Sequence, residues 1–406
     1  GGSFAAAALA AGAWGVLVAP EHAQAALAGG GPAGPPPSVT IGAVLTAADP
    51  LAALQRLANA WRRALGAKVI GVTGSTGKTS TKELLLGLLA PQRVTVASGA
   101  NFNTEIGLPL QILAAPSGTE VLVLEMAMRG PGQIAELARI AEPDVGVIVS
   151  VGPVHLELLG SIAAIAAAKA ELIAALAPGA TAVVPAGEVL LEPHLRDDVR
   201  TLRFGPGGDV SYISESATHV DVDAEGQTIA LDVNFTEKHL RDDLLAAVAA
   251  ARALGVMPAG RLAFASSPGR GGRSDVGGGV VLIDDAYNAN PMSMRAALVT
   301  LRSTPSDGRR IAVLGDMLEL GPTAERYHRE IGRYASGIAD VLVTVGPLAA
   351  GMADVFAGER HVTADATAAA ALLPRLLRAG DVVLVKGSLG VGLKLVCETL
   401  TATAVA

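Results

Sequence analysis

Val69-Ile70-Gly71-Val72-Thr73-Gly74-Ser75-Thr76-Gly77-Lys78-Thr79-Ser80-Thr81-Lys82-Glu83 is the stretch that decides the fold. A β-branched run enters a glycine-rich turn, then Lys-Thr, then the apolar-periodic Leu84-Leu85-Leu86-Gly87-Leu88-Leu89. The order is strand, phosphate loop, helix. Glycines let backbone N–H groups close around an anion, and the helix N-terminus adds partial positive charge. Gly74, Ser75, Thr76, Gly77, Lys78, Thr79 and Ser80 are therefore expected to cradle phosphates. Lys78 reaches the outer phosphates, and the Thr79 hydroxyl takes a place on magnesium. The spacing is a variant, because Gly71 stands one residue further from Gly77 than the usual motif allows.

Downstream, β-branched segments alternate with helical patterns from Lys68 to about Pro185. They include Arg93–Val96, Val121–Leu124, Val145–Val149 and Thr181–Val184. Such alternation predicts a mostly parallel sheet with helices on both faces. Residues 199–235 are more polar and β-like, which suggests an antiparallel extension, and a helix from about Arg241 to Gly255 closes that region. After the linker Ser266–Arg273, a second αβ series runs through Val280–Asp285, Ile311–Gly315, Val341–Val345 and Val382–Val385. It reads as a dinucleotide-binding-like sheet without the Gly-x-Gly-x-x-Gly fingerprint, Gly387–Gly392 being read as a loop. Upstream lie an alanine-rich helix breaking at Gly12, a strand over Trp14–Val18, a surface loop at Gly29–Pro37, a strand around Val39–Val44 and an amphipathic helix over Pro50–Leu65. The expected domains are residues 1–66, 67–265 and 274–406. The fold class is α/β.

Composition narrows the function classes. Half of the 406 residues are hydrophobic but only 3% are aromatic, so the cores must be built from Ala, Val, Leu and Ile. A net charge of −7 without a basic stripe argues against nucleic acid as a partner. The apolar N-terminal stretch has no preceding Lys or Arg and is too short to span a bilayer, so no membrane insertion is expected. The single cysteine, Cys397, excludes an internal disulfide framework and fits a reducing, cytoplasmic setting.

Three further residues join the phosphate loop by position. Glu125 ends the apolar strand Val121–Leu124, at the carboxyl edge of the sheet where parallel sheets bind ligands. A carboxylate there can hold magnesium. His155, in Gly152-Pro153-Val154-His155-Leu156-Glu157, follows the next strand to the same edge. Lys169, in Ala166-Ala167-Ala168-Lys169-Ala170-Glu171, by itself reads as a helical surface lysine.

Taken together, these motifs resemble the Mur ligases. The likeness rests on Gly71–Thr79, Asn101–Pro109, Glu125–Gly132, Gly152–Glu157 with Ala168–Glu171, Asp284–Met294 and Leu314–Gly321, in order along the chain from Phe4 on. It implies a three-domain architecture: part of an N-terminal UDP-binding domain, a central phosphate-loop ATPase-like sheet and a C-terminal Rossmann-like domain. The start at Gly1 within the first of these reads as an N-terminal truncation. Asp284–Met294 and Leu314–Gly321 resemble the branch that adds D-alanyl-D-alanine to a UDP-N-acetylmuramoyl-tripeptide. The resemblance implies ATP, two magnesium ions and a CO₂-derived carbamate on Lys169 as cofactors. Thr79 and Glu125 are implied for the first magnesium, and His155 with carbamylated Lys169 for the second. Arg270, Asp285, Tyr287 and Asn288 are implied to clasp ATP from the C-terminal domain, with Arg273 an alternative to Arg270 at the phosphate. Asn103, Thr104 and Glu105 would line the UDP-sugar-peptide side, and Lys386 and Ser388 the incoming dipeptide. A monomer is expected. Asp243 stands where the family carries an asparagine, which predicts an extra anion beside the nucleotide. A related Mur ligase that adds the third residue, a folylpolyglutamate-type ligase and a catalytically weak nucleotide-binding relative are the alternatives.

Overall fold

The computed structural model describes residues 2–27, 42–99 and 101–403. The Gly29–Pro37 loop and the first residues of the strand expected around Val39–Val44 lie outside the described residues. Among the described residues the strands form three sheets. The first pairs β1 (Gly15–Val18) with β2 (Ala43–Thr46) in parallel. The helix Pro50–Leu65 then leads to the central sheet. Asp49 caps its start by accepting the Ala52 N–H (2.9 Å), Pro50 opens it, and Gly66 ends it at φ +64°.

The central sheet contains β3 (Lys68–Thr73), β4 (Thr95–Ala97), β5 (Val121–Glu125), β6 (Val145–Ile148), β7 (Thr181–Pro185), β8 (Arg200–Phe204), β9 (Val210–Glu215), β10 (His219–Ala224), β11 (Gln227–Val233) and β12 (Gly260–Leu262). In space the order is β12-β11-β10-β9-β8-β7-β6-β3-β5-β4. β3 to β8 pair in parallel, and β9, β10 and β11 are antiparallel neighbours. The expected polar extension is therefore present, except that β8 joins the parallel part. β3 is flanked by β5 and β6, neither of them next to it in sequence. That is a topological switch point, and a crevice opens at the carboxyl ends of the strands there. The helix Lys238–Ala253 packs across the sheet with an almost unbroken buried alanine face, from Ala246 to Ala251. Small side chains thus replace aromatic bulk in the core.

Two glycines bring another helix close. Gly71 on β3 pairs with Gly146 on β6. A Cβ on Gly71 would lie 3.3 Å from Leu172 Cδ1, and one on Gly146 3.0 Å from Leu172 Cγ. The helix Ile162–Ala174, capped by Ser161, therefore sits low on the sheet. Lys169, one turn before Leu172, is carried inside with it and is only 2% exposed. The surface-lysine reading of this residue does not survive the fold.

The third sheet has β13 (Gly272–Asp275), β14 (Val281–Asp285), β15 (Arg310–Gly315), β16 (Val341–Val345), β17 (Glu359–Thr363) and β18 (Val382–Lys386), in the order β13-β14-β18-β15-β16-β17. All pairings are parallel except β13 with β14. The order β17-β16-β15-β18 matches strands 3-2-1-4 of a Rossmann sheet, with the switch point between β15 and β18. Among the described residues no helix is long and apolar enough to cross a membrane.

Candidate active site

The phosphate loop leaves β3 at Thr73, and the helix Lys78–Leu89 begins after it. Ser150, just past β6, locks the loop. Its Oγ accepts the Thr76 N–H (2.9 Å) and donates to the Thr76 carbonyl (3.0 Å), while its carbonyl accepts the Ser75 N–H (3.0 Å). Ser75 Oγ in turn accepts the Gly152 N–H (2.9 Å). Sequence reasoning missed Ser150; its place straight after the strand beside β3 was the available signal. With the loop so held, the first-turn N–H groups of the helix, which no helix can satisfy internally, are the donors for an anion.

Gly77 sits at φ +82°, and a Cβ there would fall 2.3 Å from Asp243 Oδ1. Asp243 is buried, hydrogen-bonds Ser80 and leaves Oδ2 without a partner. Burial pushes its carboxyl well above the usual carboxylate range, and Asp242 adds to the shift. With no cation bonded to it, burial of this carboxyl against the back of the loop opposes the extra anion expected at this position.

Glu125, 3% exposed, ends β5 opposite Val72 of β3. Its Oε2 accepts the Thr79 hydroxyl (2.9 Å), its Oε1 accepts Asn103 Nδ2 (2.8 Å), and its own N–H goes to Ser98 Oγ (3.1 Å). Asn103 therefore supports the carboxylate, whereas Thr104 and Glu105 stay exposed along the same cleft. Lys78 Nζ folds back to the Gly74 carbonyl (2.7 Å). Burial lowers its pKa, opposed by Glu125 and reinforced by Arg270.

His155 follows β6 at φ +51°. Burial lowers its pKa, Glu319 opposes this, and the positive charges of Lys78 and Lys169 add to it. The ring is neutral at neutral pH, the state in which it can ligate a metal. Lys169 is pulled well below the ordinary lysine range by burial and then by Lys78. Both effects favour the uncharged amine over the ammonium.

The C-terminal domain closes the cleft. Arg270 stacks on the Tyr287 ring, 4.1 Å from its centroid, and the Tyr287 hydroxyl donates to Asn101 Oδ1 across the domains. Lys386, 2% exposed, donates to Asp285 Oδ2 (2.7 Å) and to the Asn288 carbonyl (2.8 Å). A single cavity of about 1200 Å³ is lined by Lys78, Thr79, Glu125, His155, Arg270, Asp285, Tyr287, Asn288 and Lys386. Arg273 is not in this lining; it pairs with Glu237 (2.7 Å), which leaves Arg270 as the arginine that faces the phosphate loop. Ser388 departs from expectation. Its Oγ accepts the Leu318 N–H (2.9 Å), it is 5% exposed, and it does not line the cavity.

Residues 72–251 match the Mur ligase middle domain, and residues 270–389 match the Mur ligase, glutamate ligase domain. The UDP-N-acetylmuramoyl-tripeptide--D-alanyl-D-alanine ligase of Bacillus subtilis is 36% identical over 379 residues, covering 88% of this chain and 81% of that protein. The chain belongs to the Mur ligase family. The protein of the same name from Synechocystis is 37% identical, over 87% of this chain and 79% of its own length. In structure, the MurF ligase of Thermotoga maritima in complex with ADP superposes with a TM-score of 0.81 at 28% identity, covering 96% of this chain and 94% of that one. The glycine-rich loop before Lys78 falls within the stretch that matches the middle domain, and Asp285, Tyr287 and Asn288 fall within the stretch that matches the glutamate ligase domain.

Proposed function

We propose that this chain is an ATP-dependent ligase that forms the amide bond between the terminal carboxylate of a UDP-N-acetylmuramoyl-tripeptide and the amine of D-alanyl-D-alanine, in the cytoplasmic synthesis of peptidoglycan precursor. The observation that carries it is one cleft that joins a phosphate loop, the Thr79–Glu125 pair and His155, roofed by a Rossmann-like domain, with buried Lys169 near enough for its charge to act on His155. The relatives bearing that activity in their names match most of the chain.

The reaction passes through an acyl phosphate. The tripeptide carboxylate attacks the γ-phosphorus of ATP and ADP leaves; the dipeptide amine then attacks the acyl carbon and phosphate leaves. Lys78 and the loop amides hold the phosphates in line, since phosphoryl transfer depends on positioning and electrostatics. Arg270 approaches the same phosphates from the other domain, and Asp285, Tyr287 and Asn288 shape the nucleoside end. Thr104 and Glu105 lie toward the UDP-sugar-peptide side, with Asn103 behind them, and Lys386 faces the dipeptide end. Docking of the C-terminal domain excludes water that would otherwise hydrolyse the acyl phosphate.

The donor sets fit magnesium. Thr79 and Glu125 would hold one ion, and His155 with Lys169 the other. Among the described residues no three His, Cys, Asp or Glu side chains converge, and substrate oxygens and water would complete each shell, the manner of binding usual for Mg²⁺. Lys169 would serve as a carbamate. A neutral amine can add CO₂ and lose a proton, which gives an anion with two oxygens where an ammonium would repel the cation. When bound, the two ions neutralise charge on the transferring phosphoryl group.

Phosphate release measured with each substrate omitted in turn tests the assignment. Sustained release is expected only with ATP, UDP-tripeptide and D-Ala-D-Ala together, and parallel reactions with diaminopimelate- and lysine-containing tripeptides show which is used. Release that ignores the dipeptide would overturn the reading.

A further inference from the structure

One contact in the cleft belongs to neither half of the expected machinery. Glu319 follows β15 in the C-terminal domain, and its carboxylate Oε2 meets His155 Nδ1 in the central domain. The Glu319 carbonyl accepts the Glu157 N–H (3.1 Å), and Oε1 lies 3.9 Å from Arg129 Nε. Both partners are non-glycine residues held in the left-handed region, Glu319 at φ +63° and His155 at φ +51°. Such backbone conformations are strained and persist where the surroundings impose them. Two residues further on, Gly321 stands at φ +54°, and a Cβ there would lie 3.0 Å from Glu157 Cα. The segment is fastened to its own domain by the Met317 N–H on His328 Nε2 (2.9 Å) and the Leu318 N–H on Ser388 Oγ (2.9 Å). A rigid corner of one domain thus presents a carboxylate to the imidazole of the other.

A ligating histidine needs its second nitrogen held, so that the ring is oriented and the ligating lone pair is on the correct atom. Here the group that holds Nδ1 arrives with the other domain. We propose that Glu319 is a positioning residue which sets the His155 ring, with Nε2 free to ligate, only when the C-terminal domain is docked. Domain closure and completion of the second cation position are then one event. Chemistry is withheld until water is excluded, without any switch other than the contact itself. Ser388, expected near the dipeptide, gains a physical role as the brace of this corner.

The inference rests on the proposed ligase reading and its two cations. Its test is a Mn²⁺ titration followed by electron paramagnetic resonance on the whole chain with a non-hydrolysable ATP analogue, alongside steady-state kinetics and melting temperature. Wild type is expected to bind two Mn²⁺; fewer would overturn the two-cation reading itself. Glu319→Ala should weaken the weaker site about 10- to 100-fold and lower kcat similarly, with the tighter site, the KM for ATP and the melting temperature held. Glu319→Gln, which keeps an acceptor for Nδ1–H, should restore most of both. Gly321→Ala keeps the carboxylate but holds the corner away from Glu157, and should reproduce the loss at the weaker site. Wild-type binding in Glu319→Ala, or equal weakening of both sites, would overturn the coupling while leaving the ligase assignment intact.

Discussion

Replacing Glu125 separates charge from structure at the centre of the site. The carboxylate accepts two side-chain hydrogen bonds, from Thr79 at 2.9 Å and Asn103 at 2.8 Å, at a position 3% exposed. Glu125→Ala leaves both donors in a dry pocket, at about 1–3 kcal/mol each. A fall in melting temperature of several degrees is expected, and lost activity would then be ambiguous. Glu125→Gln avoids this. Its amide oxygen still accepts from Asn103, and the Thr79 hydroxyl can turn to accept from Nε2, so stability should change by less than about 1 kcal/mol. What disappears is a full negative charge. At an effective dielectric of 20, two unit charges about 4 Å apart interact by about 4 kcal/mol. Part of that is shared with phosphate oxygens, so a kcat loss of about 100- to 1000-fold is expected. Steady-state phosphate release at rising Mg²⁺, with melting curves on the same samples, measures both effects. A Gln variant with wild-type kcat would refute the role of the charge, and one that melts like the Ala variant would refute the separation of charge from structure.

Lys78→Ala removes a point charge from the transferring phosphates and should lower kcat at least ~100-fold with little change in melting temperature, by the same assay. Lys169→Ala should abolish most activity, hold the melting temperature within a few degrees, and be partly rescued by acetate; wild type stripped of CO₂ at mildly acidic pH should lose activity and regain it with bicarbonate. Burial holds the Asp243 carboxyl above its unfolded range, so the folded state binds more proton than the unfolded chain and stability falls as pH rises above the ordinary aspartate range. Asp243→Asn should flatten that decline and melt higher than wild type at pH 8, with ATP affinity at neutral pH changed little; equal pH slopes by calorimetry would show that Asp243 is charged.

Much of the site was legible because its signals are local. The glycine turn before Lys78 has no other common use at a strand–helix junction, and Glu125 and His155 each stand at or just past a strand's apolar end. What escaped was set by packing between distant segments. Nothing near Asp243 in sequence announces that Gly77 closes over its carboxyl, so that burial disfavours its charge. Lys169 among alanines looks like a surface residue until Gly71 and Gly146, from two other strands, let its helix sink onto the sheet. Arg270 and Arg273 share one glycine-rich linker, and only the position of Glu237 separates a cleft residue from an ion-paired one. The β8 strand is polar enough to pass for part of an antiparallel extension, yet its register against β7 is parallel. Glu319 meets His155 across 164 positions of chain, beyond any motif.

The central claim is that the tripeptide carboxylate is activated by phosphorylation in this cleft. Oxygen-18 placed in that carboxylate tests it directly, with released phosphate and amide product read by mass spectrometry. An acyl phosphate predicts one labelled oxygen in the phosphate for each amide bond formed. Unlabelled phosphate accompanying amide formation would contradict the account, because ATP would then have been cleaved without ever joining the substrate.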